Sequence, residues 1–185
     1  MQQDKIVMTH FNRAHLLKRT LHSFTYNKTR DFEIIIIDDG SKKEEFKKLK
    51  NLINEYKSEF TFRLLTIQED QKWYNNPCIP FNIALKKAKG EIIIIQNPEC
   101  MHNADSNNTK HPTTRHFMTF ACYNISKEQT ESLSSTPTPQ DILKTINPPN
   151  NRPITHCEEP GWYDHSIYRT LGYHWCNAIA NEDFK

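Results

Sequence analysis

The stretch Glu33-Ile34-Ile35-Ile36-Ile37-Asp38-Asp39-Gly40-Ser41 decides the fold class of this chain. Four consecutive isoleucines predict a strand buried on both faces, because β-branched side chains favour extended backbone and no polar residue alternates with them. Two carboxylates follow at the carboxyl end of this strand, which is where open parallel sheets bind ligands. Gly40 allows a tight turn, and Ser41 can cap the next helix. Taken alone, the stretch fits either a ligand site or a buried strand that ends in a polar turn.

The rest of the first hundred residues repeats this pattern. A second isoleucine strand, Glu91-Ile92-Ile93-Ile94-Ile95, ends in the polar segment Gln96-Asn97-Pro98-Glu99. Further strands are predicted at residues 5–9 and 62–67, with a helix in each of the three connections. The order β-α-β-α-β-α-β predicts a mostly parallel sheet with helices on both faces and the isoleucine strands near its centre. The two polar segments then meet at one edge of the sheet and form a site.

Local signals predict where these helices begin and end. Asn12 is the expected cap of the first helix, and Ser41 with Glu44 is expected to form a capping box for the second. Pro80 fits the first turn of the third helix, and Gly90 is its expected end. Five lysines lie between the apolar positions of the second helix and fit a solvated face better than a phosphate site: Lys42, Lys43, Lys47, Lys48 and Lys50.

The pattern is less regular after Glu99. We expect a loop over the sheet edge at residues 102–115, a strand at 117–123, a surface connection at 132–139 and a short helix at 141–146. The last segment is rich in aromatic residues and histidines. Because a histidine among aromatic rings is more often packed than ligating, we expect His174 to be a packed residue.

Composition excludes several functional classes. The chain has 185 residues, enough for one core, and a net charge of +2 from 24 basic and 22 acidic residues. We therefore expect no nucleic-acid partner, since such proteins usually carry a clear basic excess. No apolar run approaches the ~20 residues needed to span a bilayer, and the N-terminus does not resemble a signal peptide. We expect a cytoplasmic protein with five reduced cysteines: Cys78, Cys100, Cys122, Cys157 and Cys176.

An ordered set of motifs resembles the family-2 glycosyltransferases. The motifs run from residue 7 to about residue 183, and five of them occur in the family's order: Thr9 with Asn12-Arg13, Ile37-Asp38-Asp39-Gly40-Ser41, Pro80-Phe81-Asn82-Ile83-Ala84, Lys87-Ala88-Lys89-Gly90-Glu91, and Gln96-Asn97-Pro98-Glu99-Cys100. The resemblance implies the GT-A fold, an α/β, Rossmann-like, mostly parallel twisted sheet with helices on both faces. We expect one domain over residues 1–185, with a nucleotide-binding half at 1–100 and an acceptor-side half at 101–185.

The same resemblance implies transfer of a sugar from a nucleotide-diphosphate donor, expected to be a UDP-sugar, to the hydroxyl of a glycan or another acceptor. It assigns the donor site to seven residues: Thr9, Asn12, Arg13, Asp38, Asp39, Asn82 and Asn97. Asp39 would accept a hydrogen bond from the base, a charge-assisted bond that is stronger than a neutral one. Asp38 is the less informative carboxylate and is expected to shape the turn.

Asn97-Pro98-Glu99 occupies the position of the family's Asp-x-Asp metal motif. A divalent cation stabilises the charge that develops on a nucleoside diphosphate leaving group, and Mn2+ or Mg2+ prefers oxygen ligands. Glu99 and Asn97 are the expected ligands. Since Asn97 offers only a neutral oxygen, metal binding should depend on the nucleotide. The alternative is that Pro98 turns the chain and Glu99 is solvated.

The acceptor side is less complete. Inverting members of the family use a carboxylate as general base, and the segment that usually carries it would follow the last residue, Lys185. Asp164 is the candidate that remains, with Glu158 and Glu159 as nearby alternatives. Trp162, Tyr163 and His165 are expected on the acceptor side, because flat aromatic rings suit the C–H faces of a sugar.

Three functions remain open from the sequence. The first is a metal-assisted glycosyltransferase, whose chain is truncated relative to the family. The second is a degenerate nucleotide-sugar-binding module without turnover, which the missing base and Asn97 both favour. The third is another doubly wound nucleotide binder such as a dehydrogenase, but the G-x-G-x-x-G pattern that such proteins carry is absent between the first strand and the first helix.

Overall fold

The computed structural model describes residues 3–103, 117–120, 122–123, 125–146 and 176–184. Within these ranges the strands are β1 (Asp4–His10), β2 (Phe32–Asp39), β3 (Thr61–Ile67), β4 (Ile92–Gln96), β5 (Phe117–Thr119) and β6 (Cys176–Ala180). The helices are α1 (Ala14–Phe24), α2 (Lys43–Tyr56), α3 (Cys78–Leu85), α4 (Lys127–Ser132) and α5 (Pro139–Ile146). Short 3-10 helices cover Glu69–Gln71 and Asn181–Phe184.

The strands form one sheet in the order β3-β2-β1-β4-β6-β5. Strands β1 to β4 run parallel, with β2 and β4 on either side of β1. Strand β6 pairs antiparallel with both β4 and β5, so the sheet is mixed at one end. The two isoleucine strands are thus interior, as predicted, and β1 separates them.

Two apolar layers cover the sheet, one on each face. On one face, Ile34 and Ile36 pack with residues of α1 and α2, including Leu21 and Leu49. On the other face, Ile35 and Ile37 pack with α3. Each of these four isoleucines is at most 1% exposed, and burying one such side chain contributes about 1.5–3 kcal/mol. The run has no polar alternation because both faces of β2 are covered, and helices on both faces of a mostly parallel sheet are confirmed.

Both predicted helix caps are wrong, for one shared reason. The residue before α2 is Lys42, and the residue before α1 is Arg13. The Ser41 hydroxyl donates instead to Asp38, and the Asn12 side-chain oxygen accepts from the Lys42 backbone N–H. The two side chains therefore tie the β1 and β2 loops to each other, and long-range contacts of this kind are not visible in local spacing.

Other boundaries also differ from the prediction. Helix α3 ends at Leu85, so Gly90 is not its end. A Cβ atom at Gly90 would lie 2.7 Å from the Gln3 carbonyl oxygen, so glycine is needed there for close backbone packing. The predicted strand at 117–123 is only β5, and α4 falls in a segment where no helix was predicted. Helix α5 and the solvent-exposed lysine face of α2 agree with the prediction.

Strand β6 was not predicted, because its sequence Cys-Asn-Ala-Ile-Ala gives no clear strand pattern. Pairing with β4 and β5 determines its conformation, so the strand depends on tertiary contacts. Among the described residues, no helix is both long and apolar enough to cross a membrane.

Candidate functional site

The candidate site lies at the carboxyl ends of β1, β2 and β4. The loop Phe11–Arg13, which follows β1, contacts both neighbouring polar segments. The Asn12 backbone N–H donates to the Ser41 hydroxyl at 2.9 Å, and Arg13 Nη1 donates to Glu99 Oε1 at 3.2 Å. The two polar strand ends therefore belong to one edge of the sheet and are joined across β1 by this loop.

Asp38 is the buried anchor of this loop. Its Oδ1 accepts from His10 Nδ1 at 2.8 Å and from the Ser41 hydroxyl at 2.6 Å, and its Oδ2 accepts from the Ser41 backbone N–H at 3.1 Å. His10 and Asp38 are 1% and 3% exposed. The other imidazole nitrogen, Nε2, accepts from the Arg13 backbone N–H at 3.4 Å. Asp38 therefore fixes the turn after β2 through buried hydrogen bonds to His10 and Ser41, in agreement with the expectation that it shapes the turn.

The chain bends sharply at two points above this anchor. Asn12 has φ +53° and Gly40 has φ +75°, both in the left-handed region. Asparagine and glycine are the residues that adopt this region most readily. The Asn12 side chain also holds the Lys42 N–H at 3.0 Å. The conformation of the loop Phe11–Arg13 is thus set by hydrogen bonds to His10, Ser41 and Lys42, which range from part-buried to exposed.

Asp39 occupies a different environment from Asp38. Its Oδ2 accepts from Lys72 Nζ at 2.8 Å, and its Oδ1 accepts from the Tyr74 hydroxyl at 2.8 Å. The Lys72 ammonium also lies 4.0 Å from the centre of the Phe11 ring, within the range of a cation–π interaction. Phe11 is 45% exposed. Asp39 therefore belongs to a part-buried cluster of one carboxylate, one cation and two aromatic rings, of which the Phe11 ring is exposed.

Partial burial, together with the hydrogen bond to Asp39 and the charge of its carboxylate, raises the pKa of Tyr74 to about 12. The phenol therefore stays protonated at neutral pH and can donate to Asp39. Each carboxylate oxygen has two lone pairs, so Asp39 can still accept a hydrogen bond from a ligand while it is held by Lys72 and Tyr74.

Glu99 lies at the other end of the site. Its Oε1 pairs with Arg13, whose side chain is 55% exposed. Its Oε2 is buried and has no hydrogen-bond partner among the described residues. The turn that carries Glu99 is closed by the Cys100 N–H, which donates to the Asn97 carbonyl at 3.2 Å, and Thr20 holds the Pro98 carbonyl at 2.7 Å. Glu99 is therefore a positioned carboxylate with one oxygen uncommitted to a described side chain.

These residues fit a divalent cation only in part. Among the described ranges, no group of three or more His, Cys, Asp or Glu side chains is placed to hold a metal. The uncommitted Glu99 Oε2 and the neighbouring Asn97 amide are oxygen donors of the kind that Mg2+ or Mn2+ uses. Such ions are often held by one or two carboxylates together with substrate phosphates. The protein part of a metal site is thus small here, and phosphate oxygens would have to complete it.

Two cysteines contact Gln96, the last residue of β4. Gln96 Nε2 donates to the Cys100 carbonyl at 2.7 Å, and the Cys176 thiol donates to Gln96 Oε1 at 3.5 Å. The neighbouring Cys122 thiol and burial raise the pKa of the Cys100 thiol, and Cys100 in turn lowers the pKa of Cys122. His102 Nε2 also contacts Gln96 Oε1 at 2.8 Å, and burial lowers the pKa of His102 to about 4. Sequence spacing did not reveal this cluster; its members come from three parts of the chain.

The remaining predicted residues are more scattered. Thr9 is half-buried near the end of β1, beside Ile37 of β2. Asn82 is exposed on α3, and α3 packs against β1 and β2. Asp164, Trp162, Tyr163 and His165 lie outside the described residues, as do Glu158, Glu159 and His174. The acceptor-side predictions therefore remain predictions.

Sequence reasoning missed His10, Lys72 and Tyr74. His10 is the last residue of β1, and the segment Lys72–Tyr74 follows β3, so all three lie at the same edge as Asp39. Because the carboxyl ends of parallel strands share one edge, strand order places the segments after β1 and β3 beside Asp39, but local spacing does not single out these three residues.

Comparison with solved structures finds several similar chains. A mannosyltransferase from Pyrobaculum calidifontis, solved with GDP-Man and Mn2+, is 19% identical with a TM-score of 0.49 over 56% of this chain and 29% of its own. S. aureus TarS (residues 1–349) is 18% identical with a TM-score of 0.45, over 54% of this chain and 28% of its own. Glucosyl-3-phosphoglycerate synthase from Mycobacterium tuberculosis is 12% identical with a TM-score of 0.40, over 52% of this chain and 33% of its own. The matched region is thus about a third or less of each of these proteins.

No curated protein matches the sequence significantly. The family model described as glycosyl transferase family 2 matches residues 5–109, which is more than half of the chain and contains β1 to β4 with their connecting helices. The matched region includes Asp38, Asp39 and Glu99. The fold is the GT-A, Rossmann-like α/β arrangement that the sequence motifs imply. This chain belongs to glycosyl transferase family 2.

Proposed function

We propose that this chain binds a nucleotide-diphosphate sugar, a UDP-sugar in the first instance, and transfers the sugar to an acceptor hydroxyl with the assistance of Mn2+ or Mg2+. One observation supports this most strongly. The loop Phe11–Arg13 joins a part-buried aromatic and carboxylate cluster around Asp39 to a second cluster around Glu99. A nucleoside diphosphate has a matching arrangement, with a planar base at one end and phosphates at the other.

The Asp39 cluster is suited to the base. Uracil carries an imide N–H between two carbonyl groups, so it can donate to a carboxylate and accept from a cation. Asp39 supplies the acceptor, and Lys72, 2.8 Å away, supplies the donor. The exposed Phe11 ring offers a flat apolar surface beside them. Guanine also presents an N–H edge, so the cluster favours a base with an acidic N–H without choosing one.

The Glu99 end is suited to the diphosphate. Arg13 is a permanent cation whose planar guanidinium matches phosphate oxygens, and it is half exposed above Glu99. A divalent cation, when bound, would stabilise the charge of the departing diphosphate. Glu99 and Asn97 would hold that cation together with phosphate oxygens. Arg13 releases Glu99 Oε1 if it turns to the phosphate, so phosphate binding and exposure of the carboxylate are coupled.

The two halves of the domain keep their expected roles in this proposal. Residues 1–100 bind the nucleotide, and residues 101–185 form the acceptor side. Asp164 is the proposed general base, and Trp162, Tyr163 and His165 are proposed to contact the acceptor. Thr9 and Asn82 complete the donor site. The proposed location is the cytoplasm.

A second candidate is a nucleotide-sugar-binding module without turnover. Two features favour it. Glu99 is the single carboxylate of the Asn97–Glu99 segment, and its Oε1 is already engaged by Arg13. A site with one partly engaged carboxylate holds a cation weakly unless phosphate adds ligands.

Calorimetric titration with UDP, UDP-GlcNAc and GDP-Man, each with and without Mn2+, tests both candidates. We expect binding of at least one nucleotide, strengthened by Mn2+, and a loss of at least about tenfold in Asp39→Ala, since a charge-assisted hydrogen bond contributes about 1.5–3 kcal/mol. Glu91→Ala, an exposed carboxylate that precedes β4, is the matched control and should leave affinity unchanged. Absence of binding to all three nucleotides would refute both candidates.

Release of UDP from the bound UDP-sugar separates the candidates. A glycosyltransferase should release UDP slowly in water and faster with an acceptor hydroxyl present. Binding without any release of UDP across a panel of acceptors supports the binding module.

A further inference from the structure

Helix α1 carries two hydroxyl side chains on its buried face, which is otherwise apolar. Thr20 and Ser23 are three residues apart, so they lie on one face of the helix, and they are 0% and 1% exposed. Both reach the segment that follows β4. The Thr20 hydroxyl donates to the Pro98 carbonyl at 2.7 Å, and the Ser23 hydroxyl accepts from the His102 backbone N–H at 2.9 Å. Helix α1 therefore holds residues 98–102 at both ends.

Gln96 holds the same segment from the side of the sheet. It is 0% exposed, and its Nε2 donates to the Cys100 carbonyl at 2.7 Å. Its Oε1 contacts His102 Nε2 at 2.8 Å and accepts from the Cys176 thiol at 3.5 Å. The amide group is thus engaged at both ends, and its orientation is fixed by its partners.

Glu99 lies between the two carbonyl groups that are held in this way, those of Pro98 and Cys100. Its Oε2 is buried and has no hydrogen-bond partner among the described residues. A buried polar atom without a partner is unfavourable, so a loosely held turn would rotate this oxygen toward water. Fixed peptide groups on both sides of Glu99 oppose that rotation.

We propose that Thr20 and Gln96 are positioning residues for Glu99, which keep its Oε2 in place for a divalent cation. This role rests on the proposed function, in which Glu99 helps to hold Mn2+ or Mg2+ together with phosphate oxygens. Thr20 and Gln96 contact neither the cation nor the nucleotide, since each acts through one peptide carbonyl. Groups that orient a metal ligand in this way typically change metal affinity by about 10–100-fold when they are removed.

Thr20→Val in the full chain is the main test variant. Valine is close to threonine in shape but lacks the hydroxyl, so the Pro98 carbonyl loses its partner. Thr25→Val is the matched control, because the Thr25 hydroxyl also donates at 2.7 Å, but to the His22 carbonyl of α1 itself rather than to residues 98–102. Thr20→Ser keeps the hydroxyl and should restore the behaviour of the parent chain.

Hydrogen–deuterium exchange followed by NMR, without nucleotide, measures how firmly the turn is held. The Cys100 N–H closes this turn on the Asn97 carbonyl. We expect it to exchange about tenfold faster in Thr20→Val than in the parent, which is the effect of losing one buried hydrogen bond. Thr25→Val and Thr20→Ser should match the parent.

Mn2+ titration at saturating UDP, followed by the electron paramagnetic resonance signal of free Mn2+, measures the consequence for the site. We expect Mn2+ affinity to fall about tenfold in Thr20→Val, while the affinity for UDP without metal stays at the parent value. Gln96→Met, which removes the amide but keeps a side chain of similar length, should act in the same direction. Thr25→Val should bind Mn2+ like the parent.

Unchanged exchange at Cys100 in Thr20→Val would overturn the proposal, as would a fall in Mn2+ affinity that is equally large in Thr25→Val. A parent chain that binds Mn2+ with UDP, together with a Thr20→Val chain that binds it equally well, would overturn this proposal alone. A parent chain whose UDP binding is indifferent to Mn2+ would overturn both this proposal and the metal assistance in the proposed function.

Discussion

Asp38 and Asp39 are adjacent carboxylates with opposite roles, and replacing each by alanine separates stability from binding. Asp38→Ala leaves three buried donors without their acceptor: His10 Nδ1, the Ser41 backbone N–H and the Ser41 hydroxyl. An unpaired buried donor costs about 1–3 kcal/mol, so even the low end of the range predicts a loss of about 3 kcal/mol in the free energy of unfolding. In a chain of this size, that corresponds to a fall in Tm of about 6–12 °C.

Asp39→Ala should cost less stability. The side chains of Asp39 and Lys72 are 12% and 17% exposed, and the Lys72 ammonium keeps two other contacts, with the Asp39 backbone carbonyl at 3.2 Å and with the Phe11 ring at 4.0 Å. The variant loses one part-buried acceptor that serves two donors, and we expect a cost of about 1–2 kcal/mol. Nucleotide affinity, in contrast, should fall strongly in this variant.

Urea unfolding followed by circular dichroism gives both free energies under the same conditions. Asn12→Ala is a useful companion, since it removes one hydrogen bond to Lys42 from the same loop and should lie between the two aspartate variants. Equal stability losses in Asp38→Ala and Asp39→Ala, or a larger loss in Asp39→Ala, would refute the assignment of Asp38 as the structural anchor.

Three further predictions concern titration and packing. The pKa values of Tyr56 and Tyr74 are both raised to about 12, mainly by burial, so the folded state holds these protons more tightly than the unfolded state. Stability should therefore fall as pH rises from about 10 to about 12. Phenolate absorbance should show at least two late-titrating tyrosines, and Tyr74→Phe should remove one. Burial lowers the pKa of His102 to about 4, so the free energy of unfolding should fall as pH falls from about 6.5 to about 4. This fall should be shallower in His102→Gln. Urea titrations that give the same dependence on pH for both proteins would contradict this. Gly90→Ala should lose about 1–3 kcal/mol, because its Cβ would meet the Gln3 carbonyl at 2.7 Å, whereas exposed Lys89→Ala should unfold like the parent chain.

The sequence predicts the parallel part of this fold well, because its signals are local and unambiguous. Uninterrupted isoleucines indicate strands covered on both faces, and β2 is indeed covered by α1 and α2 on one side and by α3 on the other. Strand β6 was missed because its neighbours, rather than its own composition, determine its conformation. The caps were wrong because Ser41 and Asn12 bond to each other's loops across the sheet edge.

The candidate site was only half predictable. The positions of Asp39 and Glu99 follow from strand order, but the side chains that hydrogen-bond to them come from other segments of the chain. Lys72 and Tyr74 enter from the segment after β3, and Arg13 spans the edge to Glu99. Such pairings depend on which loops the fold brings together, and no short-range pattern encodes them.

Hydrogen–deuterium exchange with and without UDP and Mn2+ tests the central claim most directly. A nucleotide bound at the edge shared by β1, β2 and β4 should slow exchange in three places together: the loop Phe11–Arg13, residues 39–42 and residues 97–100. Peptides from residues 50–56, at the C-terminal end of α2 and so near the opposite edge of the sheet, should exchange unchanged. Slowing confined to other parts of the chain, or no slowing at saturating UDP and Mn2+, would contradict the placement of a nucleotide site at this edge.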